Sequence, residues 1–265
     1  MRIYLMKPSH FALEYAINPY MENYLSKGVN QRLAWDEWQN YRDLLESLRL
    51  LGEVFENPKG TADECFLCDA GEFLDAKTFL PSRFLYPQRQ PETGFIRQKM
   101  EELDYRIADC PAASFEGQGD CVTDPQGRRW VGHGFRTDSA TCQSLRRVMD
   151  IHAFLKLRQP WFYHLNMAFF PITPDVVLYV ADAFDEEAIS CIKSAFKRAY
   201  PLTLEEGKTF ICNSLLTDEG KIIAPSSSQA VWEKLDVASP FYVDTGEFQK
   251  SGGSLRCLSL VNYLA

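Results

Sequence analysis

The chain has 265 residues, a net charge of −8 and a hydrophobic fraction of 46%, which suits one domain spanning residues 1–265 with a substantial core. The acidic balance argues against nucleic acid or an anionic membrane as a partner. No run approaches the roughly 18 apolar residues of a membrane span, and Lys7, Pro8 and Glu14 interrupt the N-terminal segment, so we expect a cytoplasmic protein with reduced cysteines.

Five segments have the apolar spacing of helices. In residues 30–52, Trp38, Tyr41 and Leu45 recur at helical intervals and Gly52 is suited to the C-terminal cap. The other predicted helices, in chain order, are residues 91–103, 137–157, 185–199 and 226–235.

Seven apolar runs between these helices are predicted as strands. They are residues 64–69, 106–110, 128–134, 161–170, 175–181, 209–216 and 254–260. A hairpin is expected to turn at Pro125-Gln126-Gly127. Strand and helix alternate about five times at intervals of roughly 40 to 55 residues, which is typical of repeated α/β units.

Three polar motifs interrupt these runs. Cys257 follows the Ser251–Ser254 turn in KSGGSLRCLSL, where it is either a nucleophile at a pocket or a small apolar residue in a strand. His164 lies in the apolar run YHLNMAFF, where it is either a core residue or a base that needs a carboxylate partner. FEGQGD brings Glu116 and Asp120 around two glycines, which is either an acidic turn or a ligand site.

TADECFLCDAGEF adds two further carboxylates. Asp63 and Asp69 are six residues apart, so on a strand both point to the same face. The included Cys65-x-x-Cys68 has no second pair to complete a zinc site, and we expect no metal.

Two arginines complete the set of candidates. Arg136 lies in GHGFRTD and Arg89 lies in PQRQPE, three residues before Glu92. An arginine fork matches a carboxylate, which is either that of a ligand or that of a structural salt bridge. A thiol, an imidazole and surplus carboxylates together indicate covalent cysteine chemistry on a cationic substrate.

Taken in order, AINPYM, TADECFLCDAGEF, QRQPE, FEGQGD, GHGFRTD, YHLNMAF and GGSLRCLSL resemble the motifs of the guanidino-group modifying superfamily. That superfamily includes amidinotransferases, arginine deiminases, agmatine deiminases and dimethylarginine dimethylaminohydrolases. The resemblance covers nearly the whole chain. It implies an α/β fold, a five-bladed propeller of ββαβ modules with pseudo-fivefold symmetry, and an active site that needs neither metal nor organic cofactor.

The resemblance also implies roles for single residues. Cys257 matches the nucleophile, His164 the general acid/base and Glu116 the carboxylate that assists it. The predicted substrate-binding residues are Asp69 and Asp63 for the guanidinium, Arg136 and Arg89 for a substrate carboxylate, and Asp120. Two departures stand out: Cys68 replaces an acidic residue of some hydrolases, and His133 replaces an expected aromatic residue.

The predicted function is therefore hydrolysis of the guanidino group of arginine or an arginine derivative, through a covalent intermediate and with release of a ureido product. The alternatives are an amidinotransferase that passes the amidino group to an amine, and a non-catalytic binding protein. The sequence does not choose among arginine, methylarginine, agmatine and a ureido substrate, nor between a monomer and a homodimer.

Overall fold

The chain is described from a computed structural model, which covers residues 1–235 and 237–264. In these residues fifteen strands form five three-stranded sheets. The strands are β1 (Arg2–Met6), β2 (Leu51–Phe55), β3 (Gly71–Asp75), β4 (Thr78–Pro81), β5 (Arg106–Ile107), β6 (Cys121–Thr123), β7 (Arg129–His133), β8 (Ala153–Lys156), β9 (Phe169–Thr173), β10 (Val176–Val180), β11 (Arg198–Leu202), β12 (Leu215–Leu216), β13 (Ile222–Pro225), β14 (Phe241–Val243) and β15 (Leu260–Asn262).

In the described residues three α-helices have ten or more residues, and the other helical segments are shorter. The α-helices are α1 (Pro19–Tyr24), α2 (Gln31–Ser47), α3 (Gln90–Glu102), α4 (Gly117–Asp120), α5 (Glu186–Ala195), α6 (Leu204–Lys208), α7 (Gln229–Leu235), α8 (Gly246–Gln249) and α9 (Leu255–Leu258). Single 3₁₀ segments span Leu67–Ala70, Cys142–Arg147, Pro160–Phe162, Leu165–Met167, Ala181–Ala183, Ile211–Asn213 and Ser226–Ser228. None of the helices in the described ranges is both long and apolar enough to cross a membrane.

All five sheets repeat one strand order. The first strand is antiparallel to the middle strand, and the middle strand is parallel to the third. A parallel pair needs a crossover connection, and a helical segment supplies it each time. The sheets are β3-β4-β5, β6-β7-β8, β9-β10-β11, β12-β13-β14 and β15-β1-β2. The predicted alternation of strands and helical segments is therefore confirmed within the described residues.

The sheet β15-β1-β2 joins the two ends of the described chain. Its first strand is β15, and Arg2 pairs with Asn262 and Tyr4 with Leu260. Helix α2 lies over this sheet and buries Trp38 and Tyr41 in the same apolar cluster as residues of β1 and β15. Each fully buried side chain of this kind contributes about 1.5–3 kcal/mol, so the terminal strands are held by packing as well as by pairing.

Four of the five predicted helices are confirmed with changed bounds. Helix α2 begins after the Asn30 cap, which accepts the Leu33 N–H, and ends at Ser47, just before Arg49 adopts a left-handed conformation with φ 59°. The prediction that Gly52 caps this helix is wrong, since Gly52 lies in β2. The prediction over residues 137–157 is wrong: a 3₁₀ segment covers Cys142–Arg147 and β8 follows, since its backbone pairs in parallel with β7. The hairpin at Pro125–Gly127 is confirmed by the antiparallel pair β6 and β7.

Four predicted strands are wrong in their central residues. Residues 64–69 hold no strand. In residues 209–216 and 254–260 one helical turn comes before the strand, and in residues 161–170 two 3₁₀ turns do. A short buried apolar run has the same composition in either state, so periodicity does not separate them. Asp63 and Asp69 therefore do not share a strand face.

Five single-turn helices form a ring. They are Leu67–Ala70, α4, Leu165–Met167, Ile211–Asn213 and α9. Each comes within two residues of the first strand of a sheet, which is β3, β6, β9, β12 and β15 in turn. Each contacts the next, and α9 contacts Leu67–Ala70, so the circle is closed. Hereafter this set is the helical ring.

Candidate active site

The helical ring brings four predicted residues together. Asp69 lies in Leu67–Ala70, Glu116 immediately precedes α4, His164 immediately precedes Leu165–Met167, and Cys257 lies in α9. All four are buried, with at most 3% of the residue exposed. Residues that are far apart in sequence thus share one enclosed polar site.

His164 lies between two carboxylates. Its Nε2 is 2.8 Å from Glu116 Oε2, and its Nδ1 is 3.5 Å from Asp69 Oδ1. Burial alone would lower the pKa of His164, but the Asp69 charge and the Glu116 hydrogen bond raise it to about 9. The imidazole is therefore protonated near neutral pH and can donate a proton.

Glu116 is held in its ionised form. Its Oε2 also accepts a hydrogen bond from Arg136 Nη1 at 3.1 Å, and its Oε1 accepts the Leu85 N–H at 3.2 Å. Burial opposes the charge, yet Arg136 and His164 lower the pKa of Glu116 to about 2. A permanent carboxylate fixes the orientation of the imidazole.

Cys257 is held by an amide. Asn213 Oδ1 accepts the Cys257 N–H at 3.2 Å, and Asn213 Nδ2 lies 3.2 Å from Cys257 Sγ. Burial opposes ionisation, but a hydrogen bond from Cys68 and the charge of His164 lower the pKa of the Cys257 thiol. The predicted nucleophile is thus the cysteine whose surroundings favour a thiolate.

The glycines before Cys257 allow close packing. Gly252 has φ +86°, and a Cβ there would lie 2.7 Å from the Tyr163 hydroxyl. A Cβ at Gly253 would overlap the Phe66 ring. The turn is therefore glycine-rich because aromatic side chains occupy the space beside it.

The Asp69 carboxylate faces His164 and is held there by hydrogen bonds and close packing. Arg89 Nη1 donates to its Oδ2 at 2.6 Å, and Cys68 Sγ donates to its Oδ1 at 3.0 Å. A Cβ at Gly119 would lie 3.0 Å from His164 Nδ1 and closer still to Asp69 Oδ1. Only glycine at this position lets α4 approach both side chains.

Asp63 offers an acceptor with no protein partner. Its Oδ2 accepts the Tyr15 hydroxyl at 2.8 Å, whereas its Oδ1 is buried without a hydrogen bond in the described part of the chain. Burial outweighs the nearby Arg89 charge and raises the pKa of Asp63. An unpaired buried oxygen of this kind is suited to an N–H donor of a ligand.

No profile of a known protein family matches the sequence. The chain is 30% identical over 266 residues to the bifunctional arginine dihydrolase/ornithine cyclodeaminase AgrE of Nostoc sp., across 98% of this chain and 37% of that protein. It is 27% identical to the N(G),N(G)-dimethylarginine dimethylaminohydrolase of Mycobacterium tuberculosis, across 98% of this chain and 85% of that protein. The structure matches the N-terminal domain of ArgZ, solved with a covalently bound reaction intermediate, with a TM-score of 0.88, 29% identity and coverage of 98% and 96%.

The sequence relatives and the matching solved structures are those of the guanidino-group modifying superfamily. The resemblance inferred from the motifs is thereby confirmed. The chain spans only about 37% of the length of the bifunctional relative AgrE.

Arg89 is engaged by groups of the chain itself. Besides Asp69, it donates to Glu92 Oε2 at 2.8 Å and to the carbonyls of Asp63 and Phe66. These contacts fix the segment that carries both aspartates. That Arg89 also binds a substrate carboxylate stays a prediction.

Arg136 has a different environment. Its guanidinium lies between the rings of Tyr86 and Tyr163, at 4.6 and 4.5 Å from their centroids. Besides Glu116 it donates to the Ile17 carbonyl at 2.9 Å. The stacked guanidinium has five N–H donors, so some remain for a ligand.

Asp120 ties two segments together. It accepts hydrogen bonds from the Thr137 N–H and hydroxyl at 3.0 and 2.7 Å, and from the Leu165 N–H at 3.2 Å. The last contact holds the segment directly after His164. Its observed contacts are thus internal, and its predicted role in binding substrate stays a prediction.

The two residues that depart from the superfamily motifs, Cys68 and His133, lie in different surroundings. Cys68 is fully buried beside Asp69, whereas His133 is partly exposed and hydrogen-bonds Ser139 through Nδ1 at 2.9 Å. In the described residues no group of three or more His, Cys, Asp or Glu side chains is placed to hold a metal ion. The absence of a metal cofactor stays a prediction.

Two residues in the ring were missed from sequence. Asn213 and Asn166 are both buried, and Asn213 Nδ2 lies 3.2 Å from Asn166 Oδ1. Asn213 lies in a run predicted as a strand, although it precedes a first strand just as Asp69 does. The shared position within the module was the signal that could have found it.

A cavity of about 900 Å³ lies away from the catalytic groups. It is lined by residues of β3, β6, β9 and β12 and by the turns that follow them, together with Arg129, Cys212, Ser214, Arg256, Tyr263 and Leu264. Cys257, His164, Glu116 and Asp69 do not line it, whereas Asn166 does. Hereafter this is the distal cavity.

Proposed function

We propose that the chain is a cysteine-dependent hydrolase of the guanidino group of arginine or an arginine derivative, forming a ureido product. The observation that carries this proposal is the buried Glu116–His164 pair beside Asp69, in the same ring as a cysteine with a lowered thiol pKa. The named activities of the relatives, arginine dihydrolase and dimethylarginine dimethylaminohydrolase, support it.

The fold proposed for this activity is a five-bladed α/β propeller with pseudo-fivefold symmetry. Its support is the five ββαβ sheets and the closed helical ring. In such a propeller the first strands surround the axis, and the residues before them meet at one end of it. This accounts for one catalytic or positioning residue per module.

Substrate binding follows from charge. A guanidinium is a planar, delocalised cation that matches carboxylates through paired hydrogen bonds. Asp69 and the unpaired oxygen of Asp63 supply the acceptors, and Arg136 supplies the cation for an α-carboxylate. The substrate is then a small guanidino compound with a carboxylate, which favours arginine-like amino acids over agmatine.

The first step forms a carbon–sulfur bond. The Cys257 thiolate adds to the central carbon of the guanidinium, giving a tetrahedral adduct. The His164 imidazolium donates its proton to one nitrogen, the carbon–nitrogen bond breaks, and ammonia or an alkylamine leaves. The enzyme then carries a covalent amidino-thioether of the thiouronium type.

The second step reverses the roles. Neutral His164 takes a proton from water, and the oxygen adds to the same carbon. The hydroxyl group of this adduct loses its remaining proton to solvent as the carbonyl forms, the carbon–sulfur bond breaks, the thiolate returns, and the neutral ureido product leaves. Glu116 keeps the imidazole oriented in both steps and stabilises its charged form.

A substrate panel tests this proposal. Arginine, methylated arginine, agmatine and citrulline are each incubated with the chain and assayed for ammonia, alkylamine and ureido product, with intact mass to detect a covalent adduct. We expect turnover by the wild type and by Cys142→Ala, a matched control at a buried cysteine outside the ring segments. Cys257→Ala should have neither turnover nor adduct, and normal turnover by it would overturn the proposal.

Two other results point elsewhere. An adduct that is released only when an amine acceptor is added would indicate an amidinotransferase. Binding of guanidino compounds by all variants without any adduct would indicate a non-catalytic binding protein.

A further inference from the structure

The orientation of the Asn213 side chain is determined by the backbone. The N–H of Cys257 can only donate, so the Asn213 atom 3.2 Å from it must be the oxygen. The amide nitrogen of Asn213 therefore lies on the other side, 3.2 Å from Cys257 Sγ. One side chain thus fixes both the backbone and the sulfur of the same residue.

A donor aimed at sulfur distinguishes its two forms. A thiol sulfur is a weak acceptor, whereas a thiolate carries a full charge and accepts strongly. Both residues are buried, with Asn213 0% and Cys257 2% exposed, so water competes little for this contact. The hydrogen bond from the amide N–H therefore stabilises Cys257 most when its thiol is ionised.

Asn166 supports the orientation of Asn213. Its Oδ1 accepts from Asn213 Nδ2 at 3.2 Å, which turns its own Nδ2 toward Cys68 Sγ and the Gln118 carbonyl, both at 3.3 Å. The Cys68 thiol in turn donates to Asp69 at 3.0 Å. A hydrogen-bonded chain thus runs from the nucleophile to the carboxylate that faces His164.

The Cys68 thiol has a single hydrogen, which either Asp69 Oδ1 or Cys257 Sγ can accept. Asn213 Nδ2 has two hydrogens: one faces Cys257 Sγ at 3.2 Å, and the other is shared between the side-chain oxygen and the backbone carbonyl of Asn166, at 3.2 and 3.3 Å. Asn213 is therefore the donor that can serve the sulfur without giving up another partner.

We infer that Asn213 is the positioning residue of the nucleophile: its side-chain amide stabilises the Cys257 thiolate and fixes the direction of Sγ. The inference rests on the proposed function only for the identity of the nucleophile. The ring segment Ile211–Asn213 carries no charged residue. Through this contact it nevertheless acts on the nucleophile in another ring segment.

The test is the pH profile of Cys257 alkylation by iodoacetamide, followed by peptide mass spectrometry, which needs no substrate. In Asn213→Asp the shape is kept and one oxygen can still accept the Cys257 N–H, but the other places a negative charge against the sulfur. The midpoint should rise by about one pH unit or more, which lowers the alkylation rate near neutral pH by about 10-fold.

The matched control is Asn262→Asp. Asn262 is also fully buried and hydrogen-bonds Tyr105 and Leu264, not Cys257. It should leave the alkylation midpoint at the wild-type value. An Asn213→Asp midpoint equal to that of the control would overturn the inference.

Folding of each variant is checked by circular dichroism. If Asn213→Asp does not fold, the same alkylation profile is measured on Asn213→Ser, which removes the amide donor without adding a charge. A midpoint above that of the wild type supports the inference, and an equal midpoint contradicts it. Absence of turnover on every guanidino compound, with the alkylation shift present, would refute the proposed hydrolase and leave the role of Asn213 intact.

Discussion

The residues just before the five first strands differ in kind from those on the strands and in the turns after them. Before the strands, the helical ring holds Asp69, Glu116, His164, Asn213 and Cys257 in one buried polar network. On the strands and beyond them, the distal cavity has walls that include Phe169, Phe170, Pro171 and Ile172. The strands β3, β6, β9 and β12 thus lie between the polar network before them and a cavity whose walls combine these apolar side chains with Glu72, Asp124 and Arg256.

The two ends should respond differently to substitution. Buried charges are costly to desolvate, and their arrangement is set by mutual attraction. Apolar walls contribute to stability through burial and packing. Substitutions before the strands should therefore change activity and its pH dependence, whereas those beyond them should change stability.

The largest effect is expected for His164→Ala. It removes the acid of the first step and the base of the second, and general acid/base assistance is typically worth about 10²–10⁴-fold. The turnover rate on the best guanidino substrate should fall by that factor while the far-ultraviolet spectrum is unchanged. A rate within about twofold of wild type would contradict the role of His164 as general acid and base.

Phe169→Ala should have the largest effect at the distal end. Phe169 is 1% exposed and packs against Trp130 and Phe196, with centroids 5.2 and 6.1 Å away. Its removal should lower the free energy of unfolding by about 3–5 kcal/mol, as measured by urea denaturation. Activity per folded molecule should stay near wild type, and a selective loss of turnover would show that the two ends are not separable.

The charge of His164 should also make stability depend on pH. Its pKa rises from about 6.5 in the unfolded chain to about 9 in the fold, so the stabilisation is complete below about pH 6.5 and is lost as pH rises through about 9. Its full size is on the order of 3 kcal/mol. Unfolding free energies at about pH 6 and about pH 9 should therefore diverge more in the wild type than in His164→Gln, and equal slopes would argue against a charged His164.

Thr203→Ala should have the smallest effect. Thr203 caps α6, accepting the Glu206 N–H at 3.2 Å, while Glu206 accepts the Thr203 N–H at 2.9 Å. Loss of such a cap costs about 1 kcal/mol. Thermal unfolding should report this small loss with unchanged turnover; a strong effect on turnover would extend the functional region beyond the ring.

The sequence allowed the catalytic residue types to be predicted, but not their local structure. Cys257, His164 and Asp69 were assigned to strands, because every residue near them is apolar or buried and a single helical turn leaves no periodic signal. The long helices α2 and α3 were predictable, since each has one face exposed to solvent and therefore shows a 3.6-residue period.

The sequence also did not show which groups the charged side chains contact. Arg89 and Asp120 were predicted to bind substrate, and the structure shows both engaged with groups of the chain itself. An arginine fork or a carboxylate has the same requirements whether its partner is a ligand or a neighbouring side chain. Only the three-dimensional contacts distinguish these cases, and Asn213 was overlooked for the same reason.

The pairing of β15 with β1 has a consequence for how activity arises during synthesis. These strands are separated by almost the whole described sequence, and contacts of such long range form slowly because a large loop must close first. Cys257 lies just before β15, so its amide clamp and its histidine can meet it only after that closure. A nascent chain would therefore carry an ordinary, unactivated thiol until β15 has paired with β1.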